Sequence, residues 1–241
     1  MNQSLKSLTG PLVVLAIGVL AVGSVFVQTR GLGAAESAVA IPAPVLDPGD
    51  ASGALQTAII AGGCFWGVQA VYQHTEGVVE AVSGYAGGTV EDPTYNQVSG
   101  GRTGHAEVVA IRYDPAKISY GKILQIFFSV AHDPTQLNRQ GPDVGTQYRS
   151  AIYTTTDEQK RVAAAYTEQL DAAGVYSEPI VTEIEPLKKF YPAEDYHQDY
   201  ATLHPTQPYI AYNDLPKIEN MKVMFSDYWR EEPKLVFAPA G

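Results

Sequence analysis

The chain of 241 residues holds a single cysteine, Cys64. No internal disulfide can staple it, and one cysteine with five scattered histidines offers no closed shell for a metal, so the fold must rest on a hydrophobic core. With 45% apolar residues the chain can bury one sizeable core, which implies one catalytic domain with short extensions. The lone thiol is then either an inert packing residue, the commoner fate of a free cysteine, or a residue kept for its reactivity. Its neighbours decide between the two.

Composition also divides the chain. Lys6 precedes an uncharged apolar stretch from Gly10 to Gln28, and Arg30 closes it. Residues 1–35 thus read as an export element, either a signal peptide or a membrane anchor, because an apolar segment at the extreme terminus is unlike a core helix. Its apolar part exceeds the roughly 7 to 15 residues of a usual signal core and is only just long enough to span a bilayer. The small residues Gly33, Ala34 and Ala35 offer a cleavage point, and cleavage is the favoured outcome. Either way the expected location is outside the cytoplasm, periplasmic or attached to the membrane. The net charge of -10, with no run of Lys or Arg, excludes nucleic acid as a partner. Residues 36–54, rich in Pro, Ala and Gly without helical or strand period, read as a flexible tether.

The folded domain is placed at 55–230, with 231–241 as a tail. A short apolar run, Thr57 to Ala61, predicts a buried strand that ends at Gly62 and Gly63, and apolar residues at helical spacing follow. Val78 to Tyr85 and Ala106 to Tyr113 predict strands on either side of a long glycine-rich loop. Ser119 can cap a helix running through Ala131, and Thr156 with Gln159 forms a capping box before a helix that Gly174 ends. Strands are expected at Tyr148 to Thr154 and Pro179 to Ile184, a short helix at Ala193 to Leu203 and a last helix at Leu215 to Trp229. This alternation implies an α+β fold, a two-layer mixed sheet with covering helices and a ferredoxin-like core.

Residues 62–67, GGCFWG, place Cys64 at a strand-to-helix turn. Two glycines allow the tight turn, and unpaired amides at a helix start favour a thiolate, so a lowered pKa is expected for Cys64. Phe65 and Trp66 can wall an apolar hollow that suits a thioether methyl.

From here the sequence resembles the A-type peptide methionine sulfoxide reductases. The likeness runs from about residue 57 to about residue 213 through GCFWG, SGYAGG, DPTY, TGHAE, YDP, HDPTQLNRQG, DVGTQYRS and FYPAEDYHQDY, in the family's order and spacing. It implies that Cys64 attacks the sulfoxide sulfur, that Phe65 and Trp66 bind the substrate methyl, and that Glu107 of TGHAE is the general acid. To donate a proton near neutrality, Glu107 needs a pKa above the model value of about 4.3, which an apolar pocket provides. Tyr95 and Tyr148 stand where the family places phenols that hold the sulfoxide oxygen, and Asp143 matches an acidic loop residue that orients water or a tyrosine. Pro142 replaces an Asn usual in the family, which bears on the loop around Asp143.

The resemblance further implies reduction of the S epimer of methionine sulfoxide, free or in oxidised proteins, by a monomeric repair enzyme with no bound cofactor. Many relatives resolve the resulting sulfenic acid with further cysteines. This chain has none, so an external thiol, thioredoxin-like, glutaredoxin or small-molecule, must regenerate Cys64. Three rivals are weaker. A Cys64 dyad with His105, His132 or His197 would suit acyl transfer, a one-cysteine peroxidase would not need the aromatic hollow, and a peptide-binding scaffold would not need the thiol.

Overall fold

A computed structural model of the chain describes Met1, residues 37–49 and residues 53–237; the expected export segment lies outside these residues. Every element below belongs to one compact unit within residues 32–241, and none of its described helices is long and apolar enough to cross a membrane.

Eight strands form: β1 (Gln56–Gly62), β2 (Val78–Ala86), β3 (Ala106–Tyr113), β4 (Arg139–Gln140), β5 (Asp143–Val144), β6 (Ser150–Thr154), β7 (Glu183–Pro186) and β8 (Phe190–Pro192). Six make one sheet in the order β7-β6-β1-β3-β2-β8, while β4 and β5 pair as a separate hairpin. Every pairing in the sheet is antiparallel except β6 with β7. The helices are α1 (Phe65–Gln73), α2 (Tyr95–Ser99), α3 (Tyr120–Ile126), α4 (Asp157–Ala173), α5 (Tyr200–Leu203) and α6 (Leu215–Met224). The expected mixed α+β architecture is therefore present.

β1 shows why the sheet sits at the centre. Side chains alternate across a strand, and here both faces are apolar. Ala58 and Ile60 enter the main core with Phe65, Val68 and Ile123, while Ile59 and Ala61 pack on the other face with Val108 and Tyr153. The covering helices begin where their caps allow. The Ser119 hydroxyl accepts from the Lys122 amide at 3.1 Å, and the Thr156 hydroxyl accepts from the Gln159 amide at 3.1 Å. Gly174, at φ 60°, ends α4.

Several expected elements differ in detail. The helix from Ser119 continues past α3 only as a π-turn, Phe127–Ala131. The strand expected at 179–184 lies at β7, three residues on, because it is the register with β6 that makes it a strand. The helix expected over 193–203 is broken into a 3-10 turn, Asp195–His197, and α5, since Asp199 takes φ 61°. The last helix ends at Met224.

Residues 37–49 are not a flexible tether. Val39 donates its amide to the Ser129 carbonyl at 2.9 Å, the Gln125 amide side chain donates to the Ile41 carbonyl at 3.0 Å, and Tyr166 donates to the Pro42 carbonyl at 2.7 Å. Asp47 accepts from the Gly121 amide at 3.0 Å, at the start of α3. Ala38, Ile41 and Leu46 pack on the main core. Composition predicted looseness because it carries no periodicity, yet Pro-rich extended backbone leaves its carbonyls open to side-chain donors.

Candidate active site

β1 delivers Cys64 to the N-cap of α1. Gly63 has φ +86°, and a Cβ there would meet the Gln140 side chain at 2.5 Å. A Cβ on Gly67 would meet the Asp214 carboxylate at 2.2 Å. The two glycines flanking CFW are thus fixed by close approach of the 140 loop and of the segment leading into α6.

All seven residues singled out from sequence line one hollow: Cys64, Phe65, Trp66, Tyr95, Glu107, Asp143 and Tyr148, joined by Tyr209. Glu107 sits near the start of β3, opposite Tyr85 of β2, and is only 2% exposed. Its carboxyl accepts the Phe65 amide at 3.0 Å, the one hydrogen bond it receives among the described residues. Burial dominates, and the Asp143 and Asp214 carboxylates add to it, so the Glu107 pKa rises to about 8 against the single lowering hydrogen bond. Glu107 is a neutral acid at physiological pH.

Cys64 corrects the sequence reading. The thiol is 9% exposed, and its pKa is raised well above the ordinary value rather than lowered. Burial is the main cause, followed by the nearby Glu107 and Asp214 carboxylates; the amide of Trp66 lowers it, and Asp143 raises it further. The helix start is real, but Glu107 already accepts from its first free amide, and burial together with the nearby carboxylates outweighs the Trp66 amide. The resting thiol is protonated.

Trp66 is held from several sides. Its ring stacks on Tyr200 at 4.1 Å between centroids, and Tyr209 meets it edge-on at 6.0 Å. Its indole N–H donates to Nδ1 of His197 at 3.3 Å. The neighbouring Gln198 and Asp199 dock that segment: Gln198 bridges Gln69 of α1 and Ser83 of β2, and Asp199 accepts from Gln73. Tyr95 is fixed through its backbone amide, which donates to Glu194 at 2.9 Å. Among the described residues, neither the Tyr95 nor the Tyr148 phenol bonds to a protein group, and both line the hollow. Burial, followed by the charge of Glu107, raises the Tyr95 pKa to about 12, so its proton stays available for donation. Tyr148 is raised in the same way.

The other histidines are engaged elsewhere. Nδ1 of His105 accepts the Gly88 amide at 3.1 Å, which leaves Nε2–H to donate to the Val90 carbonyl at 2.8 Å. His132 stacks on Phe127, contacts Ser150 and, through burial, has its pKa lowered to about 3.

Three residues near the sulfur had no prior signal. Tyr209 donates a short hydrogen bond to Asp143. Asp214, which is buried, lies against Gly67 of α1. Lys217, 5% exposed, lines a second, narrow opening to Cys64. The residues at the start of the last helix therefore contribute to the wall of the site.

This fold and hollow are those of an oxidoreductase that acts on methionine sulfoxide. The chain belongs to the peptide methionine sulfoxide reductase family, whose profile matches residues 56–229. Peptide methionine sulfoxide reductase MsrA 2 of Mesorhizobium japonicum is 60% identical over 186 residues, 77% of this chain and 95% of that protein. The Synechocystis protein of the same name is 50% identical over 190 residues, 78% of this chain and 89% of its own. Among solved structures, methionine sulfoxide reductase A of Corynebacterium diphtheriae matches with a TM-score of 0.57 at 38% identity, covering 71% of this chain and 89% of that one. The reduced form of Mxr1 from Saccharomyces cerevisiae gives 0.59 at 31%, covering 78% and 98%.

Proposed function

We propose that the chain reduces methionine (S)-sulfoxide, free or in oxidised proteins, through Cys64, and that an external thiol then restores the enzyme. One observation carries this reading: a protonated thiol and a carboxyl still neutral near pH 7 share an aromatic hollow with two phenols whose hydroxyls hydrogen-bond to no protein group among the described residues. The sulfoxide methyl rests against Phe65 and Trp66, and the oxygen accepts from Tyr95 and Tyr148. Glu107 gives its proton to that oxygen, which makes the substrate sulfur electrophilic. The Cys64 sulfur attacks, and its own proton passes to the Glu107 carboxylate, so the acid is regenerated within the step. The OH then passes from the substrate sulfur to the Cys64 sulfur as the methionine S–O bond and the transient S–S bond break, so methionine leaves reduced by two electrons and Cys64 is left as a sulfenic acid. A helix-start thiolate is not required, because the proton moves only when the sulfoxide is in place.

We read the scaffold as ferredoxin-like, the four central strands β6-β1-β3-β2 being joined in βαββαβ order. We also place the domain outside the cytoplasm, on the strength of the apolar stretch from Gly10 to Gln28. A reporter active only after export, fused behind residue 36, tests the second point: a silent reporter rejects export.

The enzymatic test uses one equivalent of each epimer with no thiol donor. The expected outcome is about one methionine per chain from the S epimer alone and a diketone-trappable sulfenic acid at Cys64. Methionine production without oxidation of Cys64 rejects the mechanism.

A further inference from the structure

Among the described residues, the Trp66 indole makes one hydrogen bond, and it goes to His197. The indole N–H donates to Nδ1 at 3.3 Å, so in the neutral ring the proton sits on Nε2. A second proton on the ring would sit on Nδ1 and face the indole N–H, and two donors cannot share one bond. Charge on His197 and the Trp66 hydrogen bond therefore exclude each other.

The surroundings hold the ring neutral near pH 7. His197 is 3% exposed, and its Nε2 finds no partner among the described residues, so a second proton gains no hydrogen bond there. The ring packs on Tyr95 and Tyr196, with centroids at 4.3 and 4.2 Å, and on Phe65 at 5.2 Å. Burial lowers its pKa below the ordinary 6.5, with the Glu194 carboxylate acting against that. The titratable groups around it are Glu194 and Tyr196 from its own turn, Tyr95 from α2 and Tyr85 from β2, while α1 presents Phe65 and Trp66. Glu194 has a depressed pKa and the three phenols have raised ones, so none of them changes charge in mildly acidic solution.

The turn that carries His197 is also fixed. Gln198 accepts the Ser83 amide at 2.9 Å, and Asp199 accepts from the Gln73 side chain at 2.6 Å and from the Val236 and Phe237 amides at 2.9 and 3.0 Å. The indole is less constrained, because its stack on Tyr200, with 15° between the planes, permits sliding. When the imidazole gains a proton, the indole is the partner that gives way.

We propose that His197 is a positioning residue for substrate binding: its uncharged ring holds the Trp66 indole in place against the sulfoxide methyl, and a proton taken up by that ring releases the indole, so that affinity for the sulfoxide falls in acid while the chemical step does not. The inference rests on the reading of Trp66 as the wall that binds the methyl group.

The test follows a single turnover of the full chain without a thiol donor, so that donor ionisation plays no part. The rate of methionine formation against the concentration of free methionine (S)-sulfoxide gives a half-saturating concentration and a limiting rate. In the wild type the first should rise about fivefold between about pH 7.5 and about pH 5, the effect of one lost hydrogen bond. The limiting rate should change less than about twofold, because Glu107 is mostly protonated throughout. His197→Asn offers an amide oxygen as acceptor in place of Nδ1 and does not titrate; it should stay within about threefold of the wild type at neutral pH and lose the rise. His197→Leu, with no acceptor, should show the higher value at every pH. Asp143 also lines the hollow, but its titration is common to the wild type and His197→Asn and cancels between them.

A second arm needs no substrate. Trp229→Phe leaves Trp66 as the one tryptophan, whose emission should change with the same midpoint as the half-saturating concentration and should stay constant when His197→Asn is added. An equal rise in the wild type and His197→Asn, or a Trp66 emission indifferent to pH, overturns the proposal. A wild-type chain that makes no methionine rejects instead the reading of Cys64, and an unchanged half-saturating concentration in Trp66→Ala rejects the methyl wall; the emission titration still reports on the hydrogen bond by itself.

Discussion

Two glutamates of this molecule each accept a backbone amide from an aromatic residue of the site, Glu107 from Phe65 at 3.0 Å and Glu194 from Tyr95 at 2.9 Å, and they end in opposite charge states. Glu107 is buried with that one hydrogen bond, and its pKa rises to about 8. Burial also pushes Glu194 upward, but it is more exposed and gains the Tyr95 amide, its own amide and the Tyr85 hydroxyl, so its pKa falls below the ordinary value. A single amide does not hold a charge against full burial, whereas three donors hold one against partial burial. One carboxyl is thereby an acid for chemistry and the other an anchor for Tyr95.

The largest expected effect removes the sulfur that the Glu107 side of this contrast serves. Cys64→Ser should lower kcat by at least about a thousandfold in a steady-state assay, since the remaining groups can bind a sulfoxide but not accept its oxygen. Next, Glu107→Gln should cost about a hundredfold in kcat, within the range for a lost general acid, and should abolish the decline in rate expected of the wild type above about pH 8. The same variant tests the sign of the stability term. The folded pKa of Glu107 lies above the ordinary carboxyl value of 4.5, so its support for the fold is complete below about 4.5 and is lost as pH rises through about 8. Between pH 7 and pH 9 the wild type should therefore lose about 3 °C more in Tm than Glu107→Gln. A parallel decline of both proteins would break the comparison.

Trp66→Ala should raise KM about tenfold with a smaller change in kcat, because the stacked indole is a binding wall and not a proton carrier. Glu194→Gln should have the smallest effect, about twofold to threefold in kcat/KM through a looser Tyr95, with the fall above pH 8 unmoved. Its stability sign is opposite: the depressed folded pKa supports the fold above about 4.5, and that support is lost as pH falls through the folded value. Given its exposure, the loss should stay under about 1 kcal/mol in chemical denaturation. A Glu194→Gln profile that lost the alkaline limb would mean that the two carboxyls had been assigned the wrong way round.

Much of this site is readable along the chain because its parts are local. GGCFWG places the sulfur at a turn, and the apolar run around Glu107 from Ala106 to Tyr113 is legible as the strand that forms β3. What escapes the sequence comes from distance. Tyr209, Asp214 and Lys217 reach Cys64 across some 145 or more positions, and no spacing rule links them to it. The same distance explains the misjudged thiol: a helix start is visible in six residues, whereas the burial that reverses its effect, and the carboxylates of Glu107, Asp214 and Asp143 that add to it, come from elements far along the chain. Short elements were lost for a related reason. β4, β5 and β8 are two or three residues long and exist only through their partners, and α2 is one turn inside what reads as loop.

The strand-like stretch at 37–49 also bears on where the domain can be cut. It is bound through carbonyls that receive donors from α3, α4 and the π-turn and through the Asp47 carboxylate at the start of α3, while Ala38, Ile41 and Leu46 pack on the core, so its path is fixed. A recombinant enzyme started at Leu55, where composition alone would begin it, would strand the Gln125 and Tyr166 donors and strip Asp47 from the first turn of α3. The folded unit therefore includes residues 37–49, and an enzyme shortened into them gives up part of its covering layer.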